Sequence, residues 1–314
     1  MVKSLLLAIV VGTWNGNWFP SGRAEHRAHP DVEAATVAAA GKMLAAGLAK
    51  ADPSGREDVI LSLCEIRNRQ VAEELVKAIG RKNLKVASVS GYRRRDRFDQ
   101  QQNVILTTLP VVESTWARWT PVAAANPPRG YAAATVVLEP AVTARVYSVH
   151  LKANYGATTA ALAAENRAKR TNAIDEFVRL SEGDAYAILA GDFNADKWRK
   201  EFAGETIFTT LEAAGFANLL ALLPPKERGT HPNKRYGDRT LDYVMTRGFA
   251  GATPPHVEPN DNLSDHYAVF VRVKPVKARK SRPRTARSAR RPGEGAERPD
   301  ETPIKQDDTY GTED

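Results

Sequence analysis

Eight side chains along the sequence have the types that phosphate-ester chemistry needs. Asn15 closes Thr13-Trp14-Asn15, Glu65 lies in Cys64-Glu65-Ile66, and His150 follows Tyr147-Ser148-Val149. Asp192 and Asn194 belong to Gly191-Asp192-Phe193-Asn194, Asp242 to Leu241-Asp242-Tyr243, and Asp265 and His266 to Ser264-Asp265-His266. Each follows an apolar, strand-like run. An acid at a strand end sits at a sheet edge, where burying its charge is tolerated only if a cation or donor answers it.

Phosphodiesters are inert anions. Cleaving one needs a water nucleophile, charge neutralisation and a stabilised leaving oxygen. Hard divalent cations supply these and prefer oxygen ligands from Asp, Glu and Asn. Imidazole can stabilise or protonate phosphoryl oxygens, and a carboxylate behind it fixes its tautomer. Glu65 and Asp265 provide acids, Asn15 and Asn194 neutral oxygens, and His150 and His266 imidazoles. Asp192 and Asp242 remain to activate water and to orient a histidine.

These residues need a sheet system to bring them together. Leu5 to Val11, Val59 to Leu63, Leu84 to Val89, Asn103 to Thr108, Ala132 to Leu138, Arg145 to Val149, Ala185 to Ala190, Leu241 to Thr246 and Tyr267 to Val273 read as strands. Asp31 to Lys50, Val71 to Ile79, Ala157 to Leu180 and Thr206 to Ala214 read as helices, with Gly80 and Gly215 as stops. On the third, Ala161, Leu162, Ala168, Ile174, Phe177 and Val178 are available for a buried face, and Asn166, Arg167, Lys169 and Arg170 are expected mostly to face solvent. Several strands follow one another without a helix between them, which argues against a purely parallel sheet. The expected fold class is α/β, with two mixed β-sheets packed face to face and helices outside.

At 314 residues and 42% hydrophobic content, the chain can bury a large core. The single cysteine, Cys64, permits no intramolecular disulfide and reads as a buried hydrophobe. No run approaches the ~18 apolar residues of a membrane span, so no transmembrane segment is expected. Leu5 to Val11 imitates a signal peptide but lacks a small-x-small cleavage site beside it, so a cytoplasmic location is expected. Secretion stays open if the true start lies upstream. Residues 1–274 are expected to form one catalytic domain. From 275 to 314 the composition turns basic, with eight Lys/Arg between Lys277 and Arg291, then acidic, and reads as a solvated, disordered tail.

The order N, E, H, GDFN, LDY, SDH resembles the endonuclease/exonuclease/phosphatase superfamily, from Leu5 to Val273. The resemblance implies a deoxyribonuclease-like four-layer sandwich and a divalent-metal-dependent phosphodiesterase using Mg²⁺, with Mn²⁺ as the alternative. It implies that Glu65 is the main metal-binding residue, with Asn15 beside it, and that Asp265 is a further ligand. His150 and His266 then face the phosphoryl group. Asp192 positions or deprotonates water, Asn194 contacts phosphate or a second metal, and Asp242 hydrogen-bonds His266.

Gly191 to Asp196 is similar to deoxyribonuclease-like members, and the formal charge of +8 favours a polyanion, so DNA is the expected substrate. Lys152 and Asn154 are expected to touch phosphate, Arg94 in the Arg93 to Arg97 cluster to steer it, and Trp18 to stack a base. The bland readings are solvated charges for the basic residues and packing for the aromatics. Trp14, Trp116 and Trp119 read as packing residues. Two other functions compete with DNA cleavage: a phosphomonoesterase or lipid head-group phosphodiesterase of the same superfamily, and a non-catalytic binding protein.

Overall fold

Apolar residues occupy both faces of the central strands, so each sheet must be covered twice. The computed structural model describes residues 8–22, 28–94, 97–98, 101–122, 125–154, 156–234 and 237–276, with backbone alone at 94 and 97–98. The first half contains β1 (Ile9–Phe19), α1 (Pro30–Ala51), β2 (Asp58–Ile66), α2 (Arg69–Ile79), β3 (Lys85–Val89), β4 (Arg93–Arg94), β5 (Arg97–Phe98), β6 (Gln102–Thr107) and β7 (Val111–Arg118). The second half contains β8 (Gly130–Glu139), β9 (Val142–His150), α3 (Ala160–Leu180), β10 (Ala187–Asp192), α4 (Ile207–Ala213), β11 (Ala217–Asn218), β12 (Asp242–Arg247), β13 (Phe249–Gly251), β14 (His256–Glu258) and β15 (Ala268–Pro275).

One sheet runs β13-β15-β1-β2-β6-β3, with β14 also paired to β15; the other runs β11-β12-β10-β9-β8-β7. Both are mixed: β1–β2 and β9–β10 are parallel, and their other neighbours are antiparallel. Between the sheets, Val11, Ile60 and Ile105 meet Ala134, Val146, Ile188 and Val244. The outer face of the first sheet carries Val10, Leu61 and Phe270 against Val37, Leu44 and Leu75 of α1 and α2. The outer face of the second carries Tyr147, Leu189 and Met245 against Ile174, Phe177 and Leu211 of α3 and α4. The expected four-layer α/β sandwich is therefore the observed one.

Local chemistry sets the helix ends. Asn68 caps α2 by accepting from Val71 N, and Gly80 ends it at φ 67°. Thr159 caps α3, so the helix begins at Ala160 rather than Ala157. By length and composition α1 could cross a bilayer. Here Val37, Ala40, Leu44 and Leu48 pack into the core, and a Cβ on Gly47 would lie 2.1 Å from the Phe270 ring. The helix is thus docked closely on the first sheet.

Four expectations change. Asn15 and Glu65 lie inside β1 and β2 rather than just past them, because both strands continue through register shifts. β7 was not legible: its alternation is mostly exposed, as suits a sheet-edge strand. In the Arg93 to Arg97 cluster, Arg93 and Arg94 form a strand whose Arg93 pairs with Phe98, rather than an unpaired run of solvated charges. On α3, Leu162 is exposed, whereas Asn166 and Arg170 are buried. The start of the first strand, at 5–7, and the tail from 277 lie outside the described residues.

Candidate active site

The site is built from one row and two bulges. His150, Asp192 and Asp242 are direct cross-strand partners at the ends of β9, β10 and β12, so they form one line across the second sheet. Gly191 makes that line possible. Its φ is 148°, and a Cβ there would lie 1.9 Å from Val149 O. Only glycine lets the backbone approach β9 so closely just before Asp192.

Facing this row are Asn15 and Glu65 of the first sheet. The bulge between Leu63 and Ile66 holds Glu65 at φ 59°, a conformation that a side chain rarely adopts. The bulge re-aims the carboxylate across the sandwich. Asn15 Nδ2 donates to Glu65 Oε1 at 3.1 Å and to Asp192 Oδ2 at 3.0 Å, bridging the sheets. His150 Nε2 lies 3.7 Å from Glu65 Oε1 and 3.6 Å from Asp192 Oδ2. Asn194, at φ 51°, donates through its backbone to Asp192 Oδ1 at 2.8 Å and through its amide to Oδ2 at 2.9 Å.

The last histidine arrives from the loop before β15. Ser264 Oγ donates to Asn15 O, His266 N donates to Ser264 Oγ, and Trp14 Nε1 donates to His266 O. These bonds fix His266 with Nδ1 2.7 Å from Asp242 Oδ2 and Nε2 3.9 Å from Asp192 Oδ2.

Electrostatics separate the two imidazoles. Burial, with Arg129, His266 and Lys152 nearby, holds His150 well below its ordinary value, so it is neutral. Burial also opposes charge on His266, but Asp242 and Asp192 outweigh it and push its pKa up to about 10. Burial and the Asp242 charge lift Asp192 to about 7, against the pull of His266, Asn194 and Asn15.

Seven of the eight motif residues thus converge in one cluster: hydrogen bonds join Asn15, Glu65, Asp192 and Asn194 and, separately, Asp242 and His266, while His150 lies within 4 Å of Glu65 and Asp192. Asp265 lies at its rim, half-exposed, with Oδ2 3.8 Å from His231 Nε2. The expected substrate-binding residues scatter more. The backbone N–H of Trp18 donates to Glu65 Oε2 at 3.0 Å, and its side chain is half-buried. Lys152 is half-buried just past His150, and burial lowers its pKa. Asn154 Oδ1 accepts from Arg170 Nη1 at 3.0 Å. The Arg94 backbone lies in β4; its side chain is outside the described residues.

Sequence reasoning missed four neighbours. Gln101 Nε2 donates to Glu65 Oε2 at 2.9 Å, and Arg129 Nη1 donates to Gln101 Oε1 at 2.6 Å. Thr230 Oγ1 accepts from the backbone of Leu241 and Asp242. His231 packs edge-on to His266, 4.9 Å between ring centroids. None stands in a motif, and only the tertiary fold brings them in.

The donor set fits a hard divalent cation. Glu65 Oε1 and Asp192 Oδ2 converge on the Asn15 amide, whose Oδ1 accepts from Asn17 N at 2.9 Å. Asp242 Oδ1 is buried without a partner among the described residues. Three carboxylates converging in so little space call for positive charge.

The Endonuclease/Exonuclease/phosphatase family matches residues 12–266. The chain belongs to this family. It is a metal-dependent hydrolase of phosphate esters. No curated protein matches the sequence. Solved structures resemble it in fold. An endonuclease/exonuclease/phosphatase from Beutenbergia cavernae is 17% identical at a TM-score of 0.58, over 87% of this chain and 72% of that one. D. rerio TDP2 complexed with single-strand DNA product is 14% identical at 0.54, over 85% and 99%. Sphingomyelinase C from Streptomyces griseocarneus is 18% identical at 0.52, over 84% and 99%.

Proposed function

We propose that this chain is a Mg²⁺-dependent phosphodiesterase that cleaves DNA by attack of an activated water. The observation that carries the reading is the Asn15–Asp192 hydrogen bond, which joins the Glu65 bulge to the His150-Asp192-Asp242 row in one buried cluster. Glu65, Asn15 and Asp265 hold the cation in this reading. When bound, the metal neutralises phosphoryl charge and acidifies water.

The chain's own groups do the rest. Asp192, with its affinity for a proton raised toward neutrality, accepts the proton of the attacking water at Oδ2. Asn194 keeps that carboxylate oriented. His150, neutral, can donate from one ring nitrogen to a phosphoryl oxygen. His266 is a cation held by Asp242, and its Nε2–H offsets the charge that develops on the phosphoryl group. Lys152 and Asn154 lie on the segment that leaves His150, where a phosphate would enter.

Support for DNA comes from charge and likeness. Outside the segment from Val276, which holds 10 Lys/Arg and 8 Asp/Glu, the body carries 35 basic and 29 acidic residues, an excess of 6. The TDP2 relative is described with a single-strand DNA product. The likeness to a sphingomyelinase keeps a second reading, a phosphodiesterase of lipid head groups, in contention. Plasmid, short duplexes, single strands and a panel of small phosphate esters, each with and without Mg²⁺, separate the two. Mg²⁺-dependent scission of nucleic acid that Glu65→Ala abolishes supports the first reading. Turnover of head-group esters with nucleic acid left intact supports the second.

A further inference from the structure

Beside the Glu65 cluster lies a set of donors of different character. Ring nitrogens of His231 and His266 and a carboxylate oxygen of Asp265 all lie within 4.8 Å of one another. His231 Nε2 to Asp265 Oδ2 is 3.8 Å. Ligands on one small cation, with bonds of about 2.1 Å, stand roughly 3 to 4 Å apart. The half-exposed Asp265 needs only a small side-chain rotation to close the set.

Two further features mark this as a place built for a cation. His266 Nδ1 is already bound to Asp242 Oδ2, so Nε2 alone faces the set. A carboxylate behind a ligating imidazole is the usual support of a metal-bound histidine. His231 is held by its backbone, which exchanges hydrogen bonds with Arg239 at 2.9 and 3.0 Å, so its ring is presented without help from its side chain.

We propose that His231, Asp265 and His266 form an inhibitory site for a borderline-soft divalent cation, with Zn²⁺ as the natural probe. Two nitrogens and one oxygen with an open fourth position suit Zn²⁺, whereas Mg²⁺ prefers an all-oxygen shell. Occupancy has a chemical consequence. Nε2 of His266 cannot both ligate a metal and donate to a phosphoryl oxygen, so a cation here withdraws His266 from the reaction. The inhibitory part rests on the role given to His266 above; the binding part does not.

The test measures Zn²⁺ binding by isothermal titration to the full chain and to His231→Gln, alongside Zn²⁺ inhibition of Mg²⁺-supported turnover. Glutamine keeps a donor beside Asp265 but lacks the imidazole nitrogen, and thermal melting checks that the variant folds. Asp265→Asn serves as a second variant, read by Zn²⁺ binding alone because Asp265 is also a ligand in the proposed Mg²⁺ site. Both variants should bind Zn²⁺ about tenfold or more weakly, and for His231→Gln the inhibitory concentration should rise by a similar factor. Equal Zn²⁺ affinity in wild type and both variants overturns the site. Weakened binding with no Zn²⁺ effect on wild-type turnover upholds the site and overturns the role assigned to His266.

Discussion

Asp242 Oδ2 lies 2.7 Å from Nδ1 of His266, between two side chains that are 0% and 8% exposed. Asp242 is itself fixed, because its backbone N–H donates to Thr230 Oγ1 at 3.1 Å. The pair therefore has one geometry, in which Nδ1 carries the proton shared with Asp242 and Nε2 faces Asp192.

Asp242→Asn tests that relationship. An amide can donate to Nδ1 and so favour the wrong tautomer, and it no longer stabilises the imidazolium. Turnover is expected to fall ~10²-fold or more with the fold intact by circular dichroism, by analogy with other carboxylate–imidazole pairs. Unchanged turnover would show that the pair is only structural.

Three shifted groups of the site bear on how the metal-free protein responds to pH. His150, held well below 6.5, contributes stability that grows as pH rises toward 6.5 and opposes Asp192 there. Asp192 binds its proton more tightly when folded, with its pKa raised from 3.8 to about 7, so stability is lost as pH rises through that window. His266, raised from 6.5 to about 10, contributes stability that is fully present below 6.5 and is lost as pH rises through 10. In chelator, melting temperature should therefore decline from pH 6.5 to pH 10. Asp192→Asn should flatten the lower part of that decline, and Asp242→Asn the upper part. A melting temperature that climbs with pH over this range would contradict both assignments.

Gln101 joins Glu65 to Arg129. Removing its amide takes one hydrogen bond from a candidate metal-binding carboxylate, which keeps those from Asn15 and Trp18. Gln101→Ala is expected to raise the Mg²⁺ concentration for half-maximal activity about tenfold, the usual scale for groups that support a metal ligand. A Mg²⁺ titration identical to wild type would show that the bulge, Asn15 and Trp18 hold Glu65 without it.

Arg170 and Glu205 form a buried ion pair, with side chains 0% and 2% exposed, beneath the segment that follows His150. Arg170 Nη1 also donates to Lys152 O at 2.6 Å. Arg170→Ala strands a buried carboxylate, which, among the described residues, only Arg167 then approaches, at 3.7 Å. Chemical denaturation should report a loss of about 3 kcal/mol. A loss below about 1 kcal/mol would mean that Arg167 or water replaces the guanidinium.

The sequence made the second sheet's half of the site easy to find, because apolar runs end at His150 and Asp192 and another begins at Asp242. It could not show that these three are register partners, since pairing between distant strands leaves no local trace. Asn15 and Glu65 were found by type, but the bulges that aim them were not; β1 and β2 read as strands that simply stop. Arg170 was read as a solvated charge because one residue gives no sign of Glu205, 35 positions away. Gln101, Thr230 and His231 act through neighbours supplied only by tertiary contact, and no motif marks them.

The most direct measurement compares Mg²⁺-dependent cleavage of a DNA duplex by wild type, Glu65→Gln and His266→Ala, each shown to be folded by its melting curve. Wild-type cleavage that chelator stops, reduced at least ~10²-fold in both variants, is the expected result. Cleavage that survives chelator, or that either variant performs at the wild-type rate, would contradict a phosphodiesterase site in which these two residues, from opposite ends of the chain, act on one phosphate.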